Sequence, residues 1–177
     1  MPAPSVVALV GNPRPGSRTA GAARALADFV AARTLDGAEV GTVDLALLAP
    51  RLFTADAPDV GEARAAVAAA DVVVVATPVH KASFTGLLKA FLDGYGPDAL
   101  AGVVAVPLVV SGDPRHALVG EVHLRPVLVE LGALVPTRSL TVVDADLADL
   151  GPVLDRWWER AAGPLSRVLR APAGVAS

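Results

Sequence analysis

Asp71–Ala76 carries four consecutive valines, Val72 to Val75, and that run limits the folds open to this chain. Successive side chains of a strand point to opposite faces of its sheet. A strand that is apolar at every position therefore needs cover on both faces. Parallel sheets flanked by helices give that cover, whereas antiparallel sheets with one wet face read as an alternation. Runs of similar character occur at Ser5–Val10, Glu39–Val43, Val103–Val110 and Ser139–Val143.

The segments between these runs have helical spacing. Ala23, Leu26, Ala27 and Val30 share one face of a helix over Thr19–Thr34, and Gly37 follows its end. Gly61–Ala70 is alanine-rich and helical. Phe84, Leu87, Leu88, Phe91 and Leu92 fall at i, i+3, i+4, i+7 and i+8, predicting a helix that ends near Gly94. His116–Leu131 reads as a helix that Pro126 should kink near Val122. Val153–Leu169 reads as a last helix, interrupted near Gly163-Pro164. Residues 44–60, with Pro50 and Pro58, read as a long loop. Pro107 cannot donate to a ladder, so a bulge or an early end to pairing is expected there. Trp157 and Trp158 are adjacent and cannot share a face, which predicts one in the core and one at a subunit contact or in solvent. Strand and helix alternate about five times, the signature of a parallel sheet with helices on both faces. Residues 1–177 read as one domain, with a frayed tail from Ala171.

Composition narrows the function. The chain has 177 residues, enough to bury a core, and is 53% hydrophobic and 19% charged. A net charge of -3 gives no electrostatic reason to expect nucleic acid or an anionic membrane as partner. Aromatics are 4%, so few side chains are available to stack on bases. There is no cysteine, which removes disulfides, thiolate nucleophiles and cysteine metal sites. Three scattered histidines form no His-x-x-x-His pair, so no metal site is expected. No basic segment precedes Val6–Val10, so a signal peptide is not expected. The longest apolar run, Ala99 to Val110, is too short to span a bilayer. The expected location is the cytoplasm.

In open parallel sheets, ligands bind at the carboxyl ends of the strands. Three segments fall there: 11–19, 77–83 and 111–116. The first reads Gly11-Asn12-Pro13-Arg14-Pro15-Gly16-Ser17-Arg18-Thr19. Its glycines allow close approach, Ser17 and Thr19 offer hydroxyls, Arg14 and Arg18 offer charged donors, and the helix start offers free N–H groups. That content suits a phosphate; the plainer reading is a capping turn with solvated arginines. Gly11 and Gly16 have the spacing of a Walker A loop, but Ser17-Arg18 stands where Lys-Ser/Thr is needed. Pro13, two residues after Gly11, breaks the dinucleotide fingerprint. Ser83 lacks the G-x-S-x-G context of a hydrolase nucleophile.

Taken together, the 11–19 loop and the stretch Thr77-Pro78-Val79-His80-Lys81-Ala82-Ser83-Phe84-Thr85-Gly86-Leu87-Leu88-Lys89 resemble the NAD(P)H-dependent FMN reductase family. The family pattern is G-S-P-R-x-x-S-x-T after the first strand, then T-P-x-Y-x-x-S and a G-x-L-K helix after the third. The resemblance implies a flavodoxin-like three-layer sandwich, α/β, with a five-stranded parallel sheet of order 2-1-3-4-5. It assigns Arg14, Ser17 and Thr19 to the FMN phosphate, with Asn12 able to bond it and Arg18 either anchoring FMN or admitting the anionic NAD(P)H phosphates. It lays Pro78, Val79, His80, Lys81, Ala82 and Ser83 along the flavin ring, followed by a helix through Thr85, Gly86, Leu88 and Lys89. It brings Ser111, Gly112 and Asp113 to the ring from the third loop.

Three positions depart from the family pattern. Asn12 replaces Ser and keeps a hydrogen-bonding group for the phosphate. His80 replaces Tyr and adds a titratable ring. Ser111-Gly112-Asp113 replaces Gly-Gly, and a carboxylate beside the pyrimidine end of the flavin would disfavour its anionic reduced form. His123, before Leu124-Arg125-Pro126-Val127-Leu128, matches a Tyr or His of relatives that feed monooxygenases; its plainer reading, like that of His116, is a surface group.

The implied activity is hydride transfer from NADPH or NADH to FMN, with no general acid or base required and no catalytic side chain assigned. The implied partners are FMN, a nicotinamide nucleotide, further copies in a homodimer or homotetramer, and a flavin-dependent monooxygenase. A quinone, azo or nitro reductase with fixed FMN, and a degenerate homologue serving as an assembly partner, remain alternatives. A flavodoxin-type carrier fits less well, since such carriers are more acidic and sandwich the flavin with aromatics.

Overall fold

In the computed structural model, which describes residues 3–169, five strands form one parallel sheet. They are β1 (Ser5–Val10), β2 (Glu39–Asp44), β3 (Val72–Pro78), β4 (Val104–Ser111) and β5 (Leu140–Val143), in the order β2-β1-β3-β4-β5. This is the expected flavodoxin-like order. The expected fraying from Ala171 lies outside the described residues. Six helices accompany the sheet: α1 (Arg18–Thr34), α2 (Leu45–Leu48), α3 (Pro58–Ala68), α4 (Gly86–Leu92), α5 (Arg125–Glu130) and α6 (Gly151–Leu169).

The valine run divides as strand geometry requires. Val72 and Val74 enter one core with Val6, Ala8, Val106 and the buried faces of α1 and α6. Val73 and Val75 enter the other with Leu9, Ala105, Val60 of α3, Leu88 and Phe91 of α4, and Leu128 of α5. Both faces of the sheet are thus covered, and side chains on each are fully buried.

Several boundaries and breaks differ from expectation. Residues 44–60 are not one loop. Asp44 caps α2 by accepting from the Ala46 amide at 3.1 Å, a 3-10 turn follows at Ala49–Arg51, and α3 starts at Pro58, earlier than Gly61. Proline at the first turn of a helix costs no hydrogen bond. At the other end of β3, α4 starts at Gly86 and leaves Phe84 outside it, because Thr85 takes the cap.

Pro107 causes neither bulge nor early end. The register of β4 on β3 runs unbroken from Val72↔Val104 to Pro78↔Val110. The Val104 amide donates to Asp71, on the β3 side, and the Ala105 amide to Leu134, on the β5 side. Alternation puts the Pro107 nitrogen on the β5 side. Pairing there begins only at Leu108↔Leu140, so the missing donor falls in a gap of the ladder.

The expected helix over His116–Leu131 breaks into a 3-10 turn at Pro114–His116, a π-turn at Gly120–Leu124 and α5. Pro126 has no N–H for the Val122 carbonyl, and the turn before it widens, with the Arg125 amide bonding Gly120. By contrast, α6 runs through Gly163-Pro164 without a break. Its apolar stripe of Val153, Leu154, Ala161 and Leu165, buried on both sides of the proline, holds it on the sheet. Neither tryptophan is fully buried. Trp158 meets Phe29 edge-on at 5.8 Å, and Trp157 donates its indole N–H to the Arg138 carbonyl at 3.1 Å. Among the described residues, no helix is long and apolar enough to cross a membrane.

Candidate active site

The carboxyl ends of β1, β3 and β4 open into a cavity of about 510 Å³. Its wall includes Asn12, Arg14, Ser17, Arg18 and Thr19 from the first loop, Pro78, Val79 and His80 from the second, and Gly112 from the third. The first loop is held by its own side chains. Asn12 Oδ1 accepts from the Arg14 amide at 2.9 Å, and Asn12 Nδ2 donates to Thr19 Oγ1 at 3.1 Å. Asn12 therefore shapes the loop rather than standing free for a ligand, and the Thr19 hydroxyl is buried against it. Ser17 caps α1, its hydroxyl oxygen accepting from the Ala20 amide at 3.2 Å. The amides of Arg18 and Thr19, at the first two positions of α1, have no carbonyl of their own helix to bond. With the exposed guanidinium of Arg14 they leave a set of donors open at the cavity mouth. Helix N-termini of this kind attract anions.

The loop is tied down at two points, and the second is itself bonded to β3. The Gly16 amide donates to Asp44 Oδ2 at 3.2 Å. The Thr85 hydroxyl donates to the Gly11 carbonyl, and Thr77 Oγ1 accepts from the Thr85 amide at 3.2 Å. Gly11 is needed where it stands, since a Cβ there would lie 2.7 Å from Cβ of Leu88 and 3.2 Å from the Ala76 carbonyl. Asp44 escaped the sequence reading, and Thr77 entered it only as the start of the second segment. Thr77 lies inside an apolar strand end, and Asp44 reads as the first residue of a loop.

The second loop is a two-residue turn. The His80 amide bonds the Ser83 carbonyl at 2.8 Å and the Ser83 amide bonds the His80 carbonyl at 3.1 Å. Lys81 and Ala82 at its tip both have positive φ, 50° and 59°, a left-handed conformation that glycine or asparagine adopts more easily. Lys81, Ala82 and Ser83 form the turn that presents Pro78, Val79 and His80 at the cavity wall.

The third loop spends its side chains largely on itself. Gly112 lines the cavity, but Ser111 and Asp113 do not. Asp113 caps the following 3-10 turn, accepting from the Arg115 amide at 2.9 Å and from its guanidinium at 2.6 and 2.9 Å. The Arg115 side chain, then its amide, hold the Asp113 carboxyl down at about 2. Ser111 Oγ is buried between the Asp113 backbone and Nδ1 of His116 at 3.2 Å. His123 is exposed on the π-turn.

One residue enters the cavity unforeseen. Asp144, immediately after β5, pairs with Arg18 Nη2 at 2.9 Å, across 126 residues of sequence. A separate network ties the π-turn and α5 to the segment before β5. Glu121 accepts from the Ser139 amide at 2.6 Å and from Arg125 Nε at 3.0 Å, while Arg125 donates to the Val135 and Thr137 carbonyls, each at 2.6 Å. Burial pushes the Glu121 carboxyl up, but the Ser139 and Arg125 bonds outweigh it and leave it lowered. Among the described residues no cluster suited to a metal ion is present.

The sequence profile of NADPH-dependent FMN reductases matches residues 4–147. The chain is 36% identical over 126 residues to the NADH-dependent FMN reductase SfnF of Pseudomonas putida, covering 68% of this chain and 67% of that protein. It is 38% identical over 93 residues to an FMN reductase (NADPH) of Pseudomonas putida, covering 52% of this chain and 47% of that protein. Several curated relatives are thus matched over only about half their length. A solved NADH:FMN oxidoreductase (EMOB) in its apo form superposes with a TM-score of 0.81 at 33% identity, covering 97% of this chain and 91% of that one. An oxidoreductase from Corynebacterium diphtheriae does so with a TM-score of 0.81 at 30% identity, covering 97% and 99%. With the profile matched across its sheet and the first-loop geometry that goes with it, the chain belongs to the NADPH-dependent FMN reductase family.

Proposed function

We propose that the protein is an NAD(P)H-dependent FMN reductase that carries hydride from NADPH or NADH to FMN. The observation that carries this reading is the set of unspent donors at the start of α1, open to a cavity at the carboxyl ends of the strands. In this reading the amides of Arg18 and Thr19, the Ser17 hydroxyl and the Arg14 guanidinium hold the FMN phosphate. Pro78, Val79 and His80 lie along the ring, with Gly112 at its far edge. When bound, FMN supplies the hydride acceptor. The side chains bind and orient; none on the wall is needed to move a proton. Asp144 holds Arg18 beside the phosphate position and keeps its charge from drawing other anions.

Self-association belongs to the same reading. Leu118, Val122 and Val129 along the π-turn and α5 are 65%, 59% and 54% exposed, an apolar stripe suited to contact with further copies in a dimer or tetramer. The chain acts as one domain in the cytoplasm and passes reduced flavin to a monooxygenase. A coupled assay tests the core of the reading. FMN is titrated into purified protein, and oxidation of NADPH and of NADH is followed with and without FMN. Saturable FMN binding with FMN-dependent turnover supports a reductase. Binding without turnover with either nucleotide would overturn it.

A further inference from the structure

A second cavity, of about 640 Å³, lies apart from the one described above. It runs alongside β5, between that strand and α6. β5 is an edge strand of the sheet. Three arginines line the cleft: Arg138 before β5, and Arg156 and Arg160 one turn apart on α6. None of the three makes an ion pair among the described residues, although seven other pairs form there. Asp146 and Glu159 also lie on the wall, so cationic groups lead by one. Trp157 contributes a half-buried indole, fixed by its N–H bond to the Arg138 carbonyl. Thr137, 4% exposed, also lines the cleft, and its hydroxyl has no hydrogen-bond partner.

Each of these features leaves something unspent. Guanidinium groups without carboxylates favour phosphate, which they bind through two donors at once. An immobilised indole offers a flat apolar face for an aromatic ring. A volume of several hundred cubic ångströms suits a small organic ligand.

We propose that the cleft between β5 and α6 is a second ligand site, taking a nucleotide through stacking on Trp157 and phosphate contacts to the arginines. The site is independent of the flavin reading and does not need it.

The chain has two tryptophans, so its indole N–H groups give two signals in a nitrogen-15 spectrum. The full-length protein is titrated with ADP, with adenosine and with inorganic phosphate. The expected result is a saturable shift of the Trp157 signal by ADP, identified by its loss in Trp157→Phe. Adenosine and phosphate alone should each bind at least about tenfold more weakly. Arg156→Ala with Arg160→Ala should weaken ADP by about tenfold or more, while Arg14→Ala in the other cavity leaves it unchanged. No saturable shift overturns the proposal. So does equal binding of phosphate, which makes the cleft a plain anion patch, and so does loss of the shift in Arg14→Ala, which moves ADP to the other cavity.

Discussion

The loops after β1 and β4 draw on similar residues and come to opposite ends. Both hold a serine, an arginine and an Asx side chain beside a strand end. After β1, Asn12 and Thr19 satisfy each other, and the loop leaves the Arg14 guanidinium and two helix amides for a ligand. After β4, Asp113 absorbs Arg115, Ser111 folds back on the Asp113 backbone, and the loop opens a three-residue 3-10 turn instead of a helix of seventeen. The difference lies in which groups the fold leaves unspent. A residue type marks a candidate; only its partners make it a site.

Breaking the first loop's seat should have the largest effect. Gly11→Ala puts a methyl against Leu88 and the Ala76 carbonyl, inside a close-packed core. Overpacking of this sort costs about 1–3 kcal/mol, or more where backbone must move. Chemical denaturation should show that loss, and FMN titration should show weakened binding as the loop shifts. A variant as stable as the parent would mean that the loop is not seated as described.

A paired substitution sharpens the contrast. Arg14→Ala should weaken FMN by about 1.5–3 kcal/mol, the range for a hydrogen bond to a charged group, with little change in stability. Arg115→Ala, which removes an arginine from the other loop, should leave FMN affinity within about twofold. Equal losses in the two variants would erase the distinction between the loops.

Much of this was legible in the sequence, and the limits have physical causes. Consecutive valines can be satisfied only by cover on both faces, so Val72–Val75 announced the parallel sheet. The first loop was legible because glycine, hydroxyl and arginine fall within nine residues. Asp144 was not, because it reaches Arg18 across 126 residues and nothing local marks it. Pro107 and Pro164 misled for different reasons, since the buried stripe of α6 holds that helix together across Pro164. Proline's missing donor matters only if a partner waits for it, and at Pro107 the ladder has a gap there. The Asp113 contacts were not legible, because sequence shows a carboxylate and an arginine two residues apart but not that they pair.

The turn at Lys81-Ala82 gives a smaller test. Both residues sit at positive φ, and relief of one such residue is worth about 1 kcal/mol. Ala82→Gly should raise the thermal midpoint. If the turn presents Pro78–His80 to the ring, the variant should also loosen FMN slightly, because the glycine turn is less rigid. A lowered midpoint would place the conformational demand elsewhere.

The smallest effect is the most direct check on the β4 loop. Arg115 holds Asp113 at about 2, below its ordinary 3.8. A carboxyl lowered on folding adds stability that is fully present above the unfolded value and is lost as pH falls through the folded one. Thermal midpoints of the parent and Asp113→Asn should therefore differ by a constant small amount from about pH 8 to about pH 5. The gap should close between about pH 4 and about pH 2. FMN affinity should be the same for both proteins across the upper range, because Asp113 is satisfied within its own turn and is not on the cavity wall. A gap that closes well above pH 4, or an Asp113→Asn variant that binds FMN more tightly, would turn that carboxylate toward the ligand and make the two loops alike.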